Sequence, residues 1–317
     1  MRIFLTGGTG LIGRGLVERL KERGDVPVVL SRNPEKARQA ALFRDVEFVA
    51  GDPVSEGAWQ GAVSGCEAVV NLVGHDLFAE RWNDEVKRKI RDSRVLSTRN
   101  VVAAMERASS RPGVLAQGTA IGYYGATGET EVTEASPSGH GFMPEVCVEW
   151  ESAAAPAERF GTRVASLRTG VVLAREAGAL KVMTPIFKWL PGGAAPVGSG
   201  GAPLPARGRQ WMSWIHHEDI VGLFLLALDH PEARGPINGT APQPVRNAEF
   251  GRALAKAVHR PFLPFGPPDF VLKVVLGEIA QVVTEGQKVL PARAESLGYS
   301  FQFPELRGAI EDLFRES

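Results

Sequence analysis

Apolar residues come in short continuous runs at 2–6, 26–31, 46–50, 68–73, 114–119 and 163–168, with helically spaced stretches between them. Uninterrupted runs of this length mark strands covered on both faces, because a half-exposed strand would alternate apolar with polar. The first run holds Ile3, Phe4 and Leu5. Behind it, Ile12, Leu16 and Leu20 share one helical face, and Gly24 stands where that helix should stop. Strand and helix alternating in this way predict an α/β fold with a Rossmann-type, doubly wound parallel sheet and right-handed crossovers.

The texture then changes. Residues 185–209 are rich in Pro and Gly and read as a long loop or lid. Trp214–Asp219 leads into an apolar helix carrying Ile220, Val221, Leu223 and Phe224, with Asp219 as its expected N-cap and Glu218 facing the positive end of its dipole. From 238 onward the chain is mostly helical with Pro-rich breaks. The expected division is a dinucleotide-binding domain over 1–237 and a smaller cap over 238–317 that closes the carboxyl edge of the sheet. Phe262, Leu263, Phe265, Phe270, Val271, Leu272, Val274, Val275 and Leu276 are more apolar surface than an isolated cap would expose without a partner.

Composition narrows the function. Of 317 residues, 36 are Lys or Arg and 36 Asp or Glu, so no global field draws the chain to nucleic acid or to an anionic membrane. No apolar run reaches the ~18–20 residues of a membrane span, and the first strand is too short for a signal peptide. Cys66 and Cys147 make no disulfide framework, and the expected address is the cytoplasm. The six histidines, His75, His140, His216, His217, His230 and His259, show no metal-ligand spacing. Adjacent His216 and His217 would point in different directions on a helix or a strand.

The most telling motif joins the first strand to the first helix. Gly8, Gly10 and Gly13 form a G-x-G-x-x-G turn: one glycine allows the tight turn, one lets backbone approach a pyrophosphate, and one lets helix pack on strand. N–H groups at the helix start then favour an anion. At the end of the second strand, roughly 20 residues on, a site selecting NAD would carry Asp or Glu. This chain has Ser31 and Arg32, a hydroxyl and a guanidinium suited to a 2′-phosphate, so the expected cofactor is NADP(H).

Thr6-Gly-Gly-Thr-Gly-Leu-Ile-Gly13 resembles the turn of the extended short-chain dehydrogenase/reductase superfamily. Further segments resemble its subgroup of epimerase family proteins of the nucleoside-diphosphate-sugar epimerase type: Asn71-Leu-Val-Gly74, Arg81-Trp82, Ser93-Arg94, Gly122-Tyr-Tyr-Gly125, Trp150-Glu151, Arg168-Thr-Gly-Val-Val-Leu173, and Gln210-Trp-Met-Ser-Trp-Ile215. Glu285-Gly-Gln-Lys-Val-Leu-Pro291 is similar to that subgroup's short carboxyl-terminal domain, so the resemblance spans nearly the whole chain; Gly201–Gly208 looks like extra loop. By position, the resemblance implies that cofactor is held by Gly7, Gly8, Thr9, Gly10, Leu11, Ile12 and Gly13, with Ser31 and Arg32. Leu72 and Val73 would lie on the adenine side, Lys89 and Arg94 would reach in from a long basic helix, and Val172 would lie near the nicotinamide. Lys87, Arg88, Arg91 and Arg99 share that helix, and most of these charges must be solvated.

The catalytic half of the resemblance is incomplete. Short-chain reductases use a Tyr whose pKa a Lys four residues on depresses, beside a Ser or Thr. Here the tyrosines are Tyr123, Tyr124 and Tyr299, and four residues beyond them stand Thr127, Gly128 and Phe303. Aligning Glu151 with the glutamate that follows the family lysine puts Met143 near the Tyr position and Cys147 near the Lys; a shift of one turn puts Cys147 at the Tyr. Thr119 or Ala120 takes the serine place. Replacement acids or bases would come from Thr119, Tyr124, Glu145, Cys147, Glu149 and Glu151. Against them stand a packed aromatic for Tyr124, a small buried hydrophobe for Cys147 and helix surface for the glutamates. Two functions fit: an NADP(H)-dependent oxidoreductase or epimerase acting on a small polar, sugar-like molecule, or an inactive NADP(H)-binding sensor or partner-binding protein.

Overall fold

The computed structural model describes residues 1–175, 208–262 and 277–315, with the single positions 178, 180, 181, 184 and 274. Most of the expected 185–209 loop, Gly201–Ala206 within it, and the 263–276 stretch apart from Val274 lie outside the described residues. In chain order the strands begin with β1 (Arg2–Thr6), β2 (Val26–Ser31), β3 (Glu47–Ala50), β4 (Ala68–Asn71), β5 (Val114–Ala120) and β6 (Glu131–Val132). There follow β7 (Arg163–Thr169), β8 (Val171–Ala174), β9 (Trp211–Met212), β10 (Trp214–His216), β11 (Gly235–Gly239), β12 (Val245–Arg246) and β13 (Lys288–Val289). Seven of them form one sheet in the order β11-β7-β5-β4-β1-β2-β3, and every neighbouring pair is parallel. This is the doubly wound order, reversing between β1 and β4.

The continuous apolar runs are explained by two cores. Ile3, Leu5, Val29 and Val70 enter one face, packed on α1 (Leu11–Glu22) and the helix His217–Asp229 through Leu16, Leu20, Ile220 and Phe224. Phe4, Val28, Leu30 and Val69 enter the other, against Val101, Val102 and Met105 of the long helix α3 (Asp84–Arg107). Neighbours along each strand therefore alternate between two dry faces. Each fully buried Leu, Ile, Val or Phe contributes roughly 1.5–3 kcal/mol. Helix α1 ends at Glu22, and Gly24 follows with φ +79°, the left-handed conformation glycine adopts without strain; the short α2 (Pro34–Arg38) comes after β2.

The carboxyl-terminal part is mostly helical, and it is stitched to the sheet domain. Helices Asn247–Ala257 and Leu306–Leu313 enclose a third core with Leu173 of β8 and Trp214 of β10. Strand β13 pairs with β6, and Ile279 joins Trp82, Val86 and Ile90 at the start of α3. The helix after β10 corrects one expectation. It starts at His217, capped by His216, whose Nδ1 accepts from the Glu218 N–H at 3.2 Å, so Asp219 lies inside the first turn. Asp219 is fully buried and faces the tail: Oδ1 accepts from the Gln302 N–H at 2.8 Å and the Tyr299 hydroxyl at 3.2 Å, and Oδ2 accepts from the Phe303 N–H at 3.0 Å. Among the described residues no helix is long and apolar enough to cross a membrane, and no cluster of three metal-ligating side chains occurs.

Candidate functional site

The row of strand ends at the carboxyl edge is where an open α/β sheet places its ligands. At β1, Gly7 turns with φ +68°, and the Gly10 N–H donates to its carbonyl at 2.9 Å. A Cβ on Gly7 would lie 2.9 Å from the Leu72 carbonyl carbon, and one on Gly13 would lie 2.6 Å from Gly8 Cα. These obstacles are backbone and cannot swing aside, so the close approach of turn, β4 end and helix requires glycine. Helix α1 begins after Gly10 with no side-chain cap and no acidic residue in its first turn, leaving its N–H groups available to an anion. Thr9 and Gly10 are exposed, while Leu11 and Ile12 are half-buried.

The remaining cofactor candidates spread along the same edge. Ser31 Oγ accepts from the Asn33 N–H at 3.1 Å, and Arg32 is exposed with no hydrogen bond or ion pair to a described residue. Val172 comes against Gly178, whose Cβ would lie 2.9 Å from the Val172 carbonyl oxygen and 3.2 Å from the Leu11 side chain. Lys89 is tied to Glu80 at 3.4 Å and Glu85 at 3.1 Å. It lines an open groove of about 330 Å³ with Asp52, His75, Arg88 and Ser93. Arg94 is different: it is buried, donates to the carbonyls of Ile90 at 2.9 Å and His75 at 3.1 Å, and lies under the Trp150 ring.

Beneath this edge a buried polar ladder joins the strands. Asn71 accepts from Thr6 and donates to Thr98 at 2.9 Å and Gln117 at 3.0 Å, and the Trp150 indole donates to Thr98 at 3.1 Å. The ladder fixes α4 (Phe142–Ala154) against β5, and thereby brings together four residues that are far apart in sequence. Thr119 Oγ donates to Glu151 Oε1 at 3.3 Å. Arg168, 3% exposed, holds Glu151 in a two-point fork with both bonds at 2.8 Å. Its Nη1 donates to the Tyr124 hydroxyl at 2.9 Å, which donates onward to Asn238 Oδ1 at 2.7 Å. The same guanidinium stacks 3.4 Å from the Tyr123 ring centroid.

Three expected catalytic residues, Thr119, Tyr124 and Glu151, thus form one network, and their chemistry differs. Burial pushes the Tyr124 phenol above its ordinary range, only partly offset by Arg168, so it is a donor and not a ready base. Cys147 is fully buried near Gly122, and burial with the Glu151 charge pushes its thiol up to about 12. It is a packed thiol whose surroundings favour the protonated form. Glu145 is exposed and Glu149 is paired with Arg91 at 2.7 Å, both on the helix surface. Met143 packs beside Phe142, Trp82 and Ile279, giving the Tyr position of the family pattern an apolar lining.

Sequence reasoning left Arg168 without a role and did not single out Asn238 or Glu134. Asn238 is fully buried; its Nδ2 donates to the Leu290 carbonyl at 2.9 Å, and its N–H donates to Glu134 at 2.8 Å. The run from Arg168 to Leu173 and the candidates Thr119, Tyr124 and Glu151 pointed to this corner from the sequence, and none of them carries partner information.

Known proteins match this chain over nearly its whole length. The model of the NAD dependent epimerase/dehydratase family matches residues 3–238, and a domain of unknown function (DUF1731) matches residues 267–313. The chloroplastic epimerase family protein SDR39U1 homolog of Arabidopsis thaliana is 44% identical over 319 residues, covering 99% of this chain and 87% of that protein. Epimerase family protein ML0860 of Mycobacterium leprae is 36% identical, covering 97% of this chain and 94% of its own. The crystal structure of human epimerase family protein SDR39U1 with NADPH superposes with a TM-score of 0.84 at 31% identity, covering 99% of both chains. With the glycine turn, the parallel sheet and these matches in agreement, the chain belongs to the NAD dependent epimerase/dehydratase family, in the extended short-chain dehydrogenase/reductase superfamily.

Proposed function

We propose that this protein is an NADP(H)-dependent oxidoreductase or epimerase acting on a small polar, sugar-like molecule. The observation that carries the cofactor is the glycine cradle: Gly7, Gly8, Gly10 and Gly13 clear the backbone, and the uncapped start of α1 offers N–H groups to a pyrophosphate. In this reading Thr9, Leu11 and Ile12 complete the phosphate turn, and Leu72, Val73 and Val172 line the apolar sides of the groove. Lys89 sits at the groove beside Asp52. Ser31 and the exposed Arg32, which has no partner among the described residues, support a 2′-phosphate, and the NADPH of the human relative supports the same choice. When bound, the cofactor supplies or accepts the hydride.

The proton falls to Thr119 and Glu151. Thr119 Oγ, at the end of β5, passes its proton to the Glu151 carboxylate it already contacts, and accepts one from a substrate hydroxyl in the same motion. Arg168 holds the carboxylate in place, and Tyr124 holds Arg168. A second reading, cofactor binding without turnover, is favoured by Met143 and Cys147 standing where the tyrosine and lysine are expected. Balanced charge and two buried free thiols support a small-molecule substrate and a cytoplasmic address, with no nucleic acid or membrane partner.

Calorimetry with NADPH and NADH tests the cofactor. A charge-assisted contact through Arg32 predicts about 10- to 100-fold tighter binding of NADPH, erased by Arg32→Asp; equal affinities in the unmutated protein refute it. Following NADPH oxidation against carbonyl compounds and sugar nucleotides tests the chemistry. Glu151→Gln should abolish turnover while NADPH still binds, and a parent protein that binds NADPH yet turns over nothing establishes the second reading.

A further inference from the structure

Asn238 joins the carboxyl-terminal segment to the corner that holds Glu151, and the hydrogen bonds between them can run in one direction only. The Leu290 carbonyl accepts and cannot donate, so the Asn238 side chain must present Nδ2 to it, at 2.9 Å. That leaves Oδ1 facing Tyr124, whose single hydroxyl proton goes to it at 2.7 Å. The phenol oxygen is then an acceptor on its other side, where Arg168 Nη1 donates at 2.9 Å. Nε and Nη2 of the same guanidinium donate to Glu151, both at 2.8 Å. Turning the Asn238 amide over would set oxygen against oxygen at Leu290 and leave the Tyr124 proton without its acceptor.

Asn238 is also clamped through its backbone. Its N–H donates to Glu134 Oε1 at 2.8 Å, and that oxygen accepts from the Arg293 N–H at 3.1 Å. Leu290 and Arg293 both lie in the segment that matches the domain of unknown function. Across the sheet, Asn238 of β11 stands opposite Arg168 of β7, which stands opposite Thr119 of β5. Stability alone does not call for these links, because well-packed apolar residues often match a buried polar chain in stability. What apolar residues do not supply is orientation. Two bonds to one carboxylate leave a guanidinium free to swing with it. The bond to Tyr124 stops that turn in the plane, and the Tyr123 ring, 3.4 Å from Cζ, stops a tilt out of it. Glu151 Oε1 is thereby kept 3.3 Å from the Thr119 hydroxyl.

We propose that the carboxyl-terminal segment sets the orientation of the Glu151 carboxylate, acting from the Leu290 carbonyl through Asn238, Tyr124 and Arg168, with Asn238 as the positioning residue. Its catalytic meaning rests on Glu151 as the group that takes the Thr119 proton, the reading given above.

Two readouts test it. In the unliganded ¹⁵N-labelled protein, the Arg168 Nε–Hε resonance, identified by its loss in Arg168→Lys, reports the bond to Glu151. Asn238→Leu and Tyr124→Phe should each shift it and speed its exchange with water roughly 10-fold. The double variant should go no further than either single one, because both cut the same route. Tyr299→Phe loosens the same segment at Asp219, outside that route, and should leave the resonance in place. In turnover, Asn238→Leu should lower kcat about 10-fold while KM and the NADPH Kd stay within about 2-fold. If Asn238→Leu does not fold, Tyr124→Phe, which removes one oxygen, decides by the same two readouts. A resonance that neither variant moves, additive effects in the double variant, an equal response to Tyr299→Phe, or an unchanged kcat overturns the proposal. A parent protein that turns nothing over removes the catalytic reading of Glu151, while the resonance still decides whether the segment orients it.

Discussion

Asp219 holds the carboxyl-terminal tail to the sheet domain, and its replacement by asparagine measures how firmly. The carboxylate is fully buried and accepts three hydrogen bonds, from the Gln302 and Phe303 N–H groups and the Tyr299 hydroxyl. Asparagine keeps the shape but turns one acceptor oxygen into a donor. Whichever way the amide faces, at least one backbone N–H meets an N–H. A bond to a charged group is worth about 1.5–3 kcal/mol and an unsatisfied buried donor costs about 1–3 kcal/mol, so Asp219→Asn should destabilise by about 2–4 kcal/mol. The Tyr299 hydroxyl lies between the Asp219 carbonyl oxygen at 3.0 Å and Oδ1 at 3.2 Å, so Tyr299→Phe removes one shared donor while both carboxylate oxygens keep a partner, and should cost about 1 kcal/mol. Urea unfolding gives the total, and hydrogen exchange at the amides of Gln302 and Phe303 gives the local opening. Asp219→Asn within ~0.5 kcal/mol of the parent, or a loss of stability without faster exchange at those two amides, refutes the latch.

Three further outcomes follow from the geometry. Gly13→Ala places a Cβ 2.6 Å from Gly8 Cα and should cost about 1–3 kcal/mol by overpacking, and calorimetry should show NADPH binding weakened with it. Burial alone would lower the His217 pKa, but its contacts with Glu218 and the Leu11 carbonyl outweigh that and raise it. A raised folded pKa stabilises below the unfolded value near ~6.5 and fades as pH rises through the folded value, so His217→Gln should lower the melting temperature at pH 5.5 and leave it little changed at pH 8.5. A chain ending at Gly235 loses the β11 partner of β7 and the core residue Ile237, and it should neither melt cooperatively nor bind NADPH; full-length melting behaviour in that fragment would disprove the coupling.

The sheet was legible because each strand is covered on both faces, and Phe4 beside Leu5 or Val28 beside Val29 reads as a continuous apolar run. The phosphate turn was legible for a similar reason: backbone crowding at Gly7 and Gly13 permits one residue type, and that residue is visible in the sequence. What could not be read was pairing. Glu151 and Arg168 stood in view as a candidate acid and a strand end, yet their fork exists only because α4 packs against β5, whose neighbour β7 carries Arg168. Asn238 and Glu134 belong to no local pattern, since their partners, Tyr124, Leu290 and Arg293, are brought to them by tertiary structure. Asp219 reads as a helix cap in the sequence because it stands only three positions beyond His216, the residue that caps the helix. Only the tail, folded against the helix, decides which it is.

The contacts made by residues 288–303 also order events in time. Lys288 and Val289 pair with Glu131 and Val132, Leu290 receives Asn238, the Arg293 N–H reaches Glu134, and Tyr299, Gln302 and Phe303 converge on Asp219. A ribosome delivers the amino-terminal partner of every pair first. While residues 288–303 are still to emerge, the nascent sheet domain carries a buried carboxylate and a buried amide whose complements have not been made. The corner holding Tyr124 and Arg168 therefore reaches its final form only after residues 288–303 have been made.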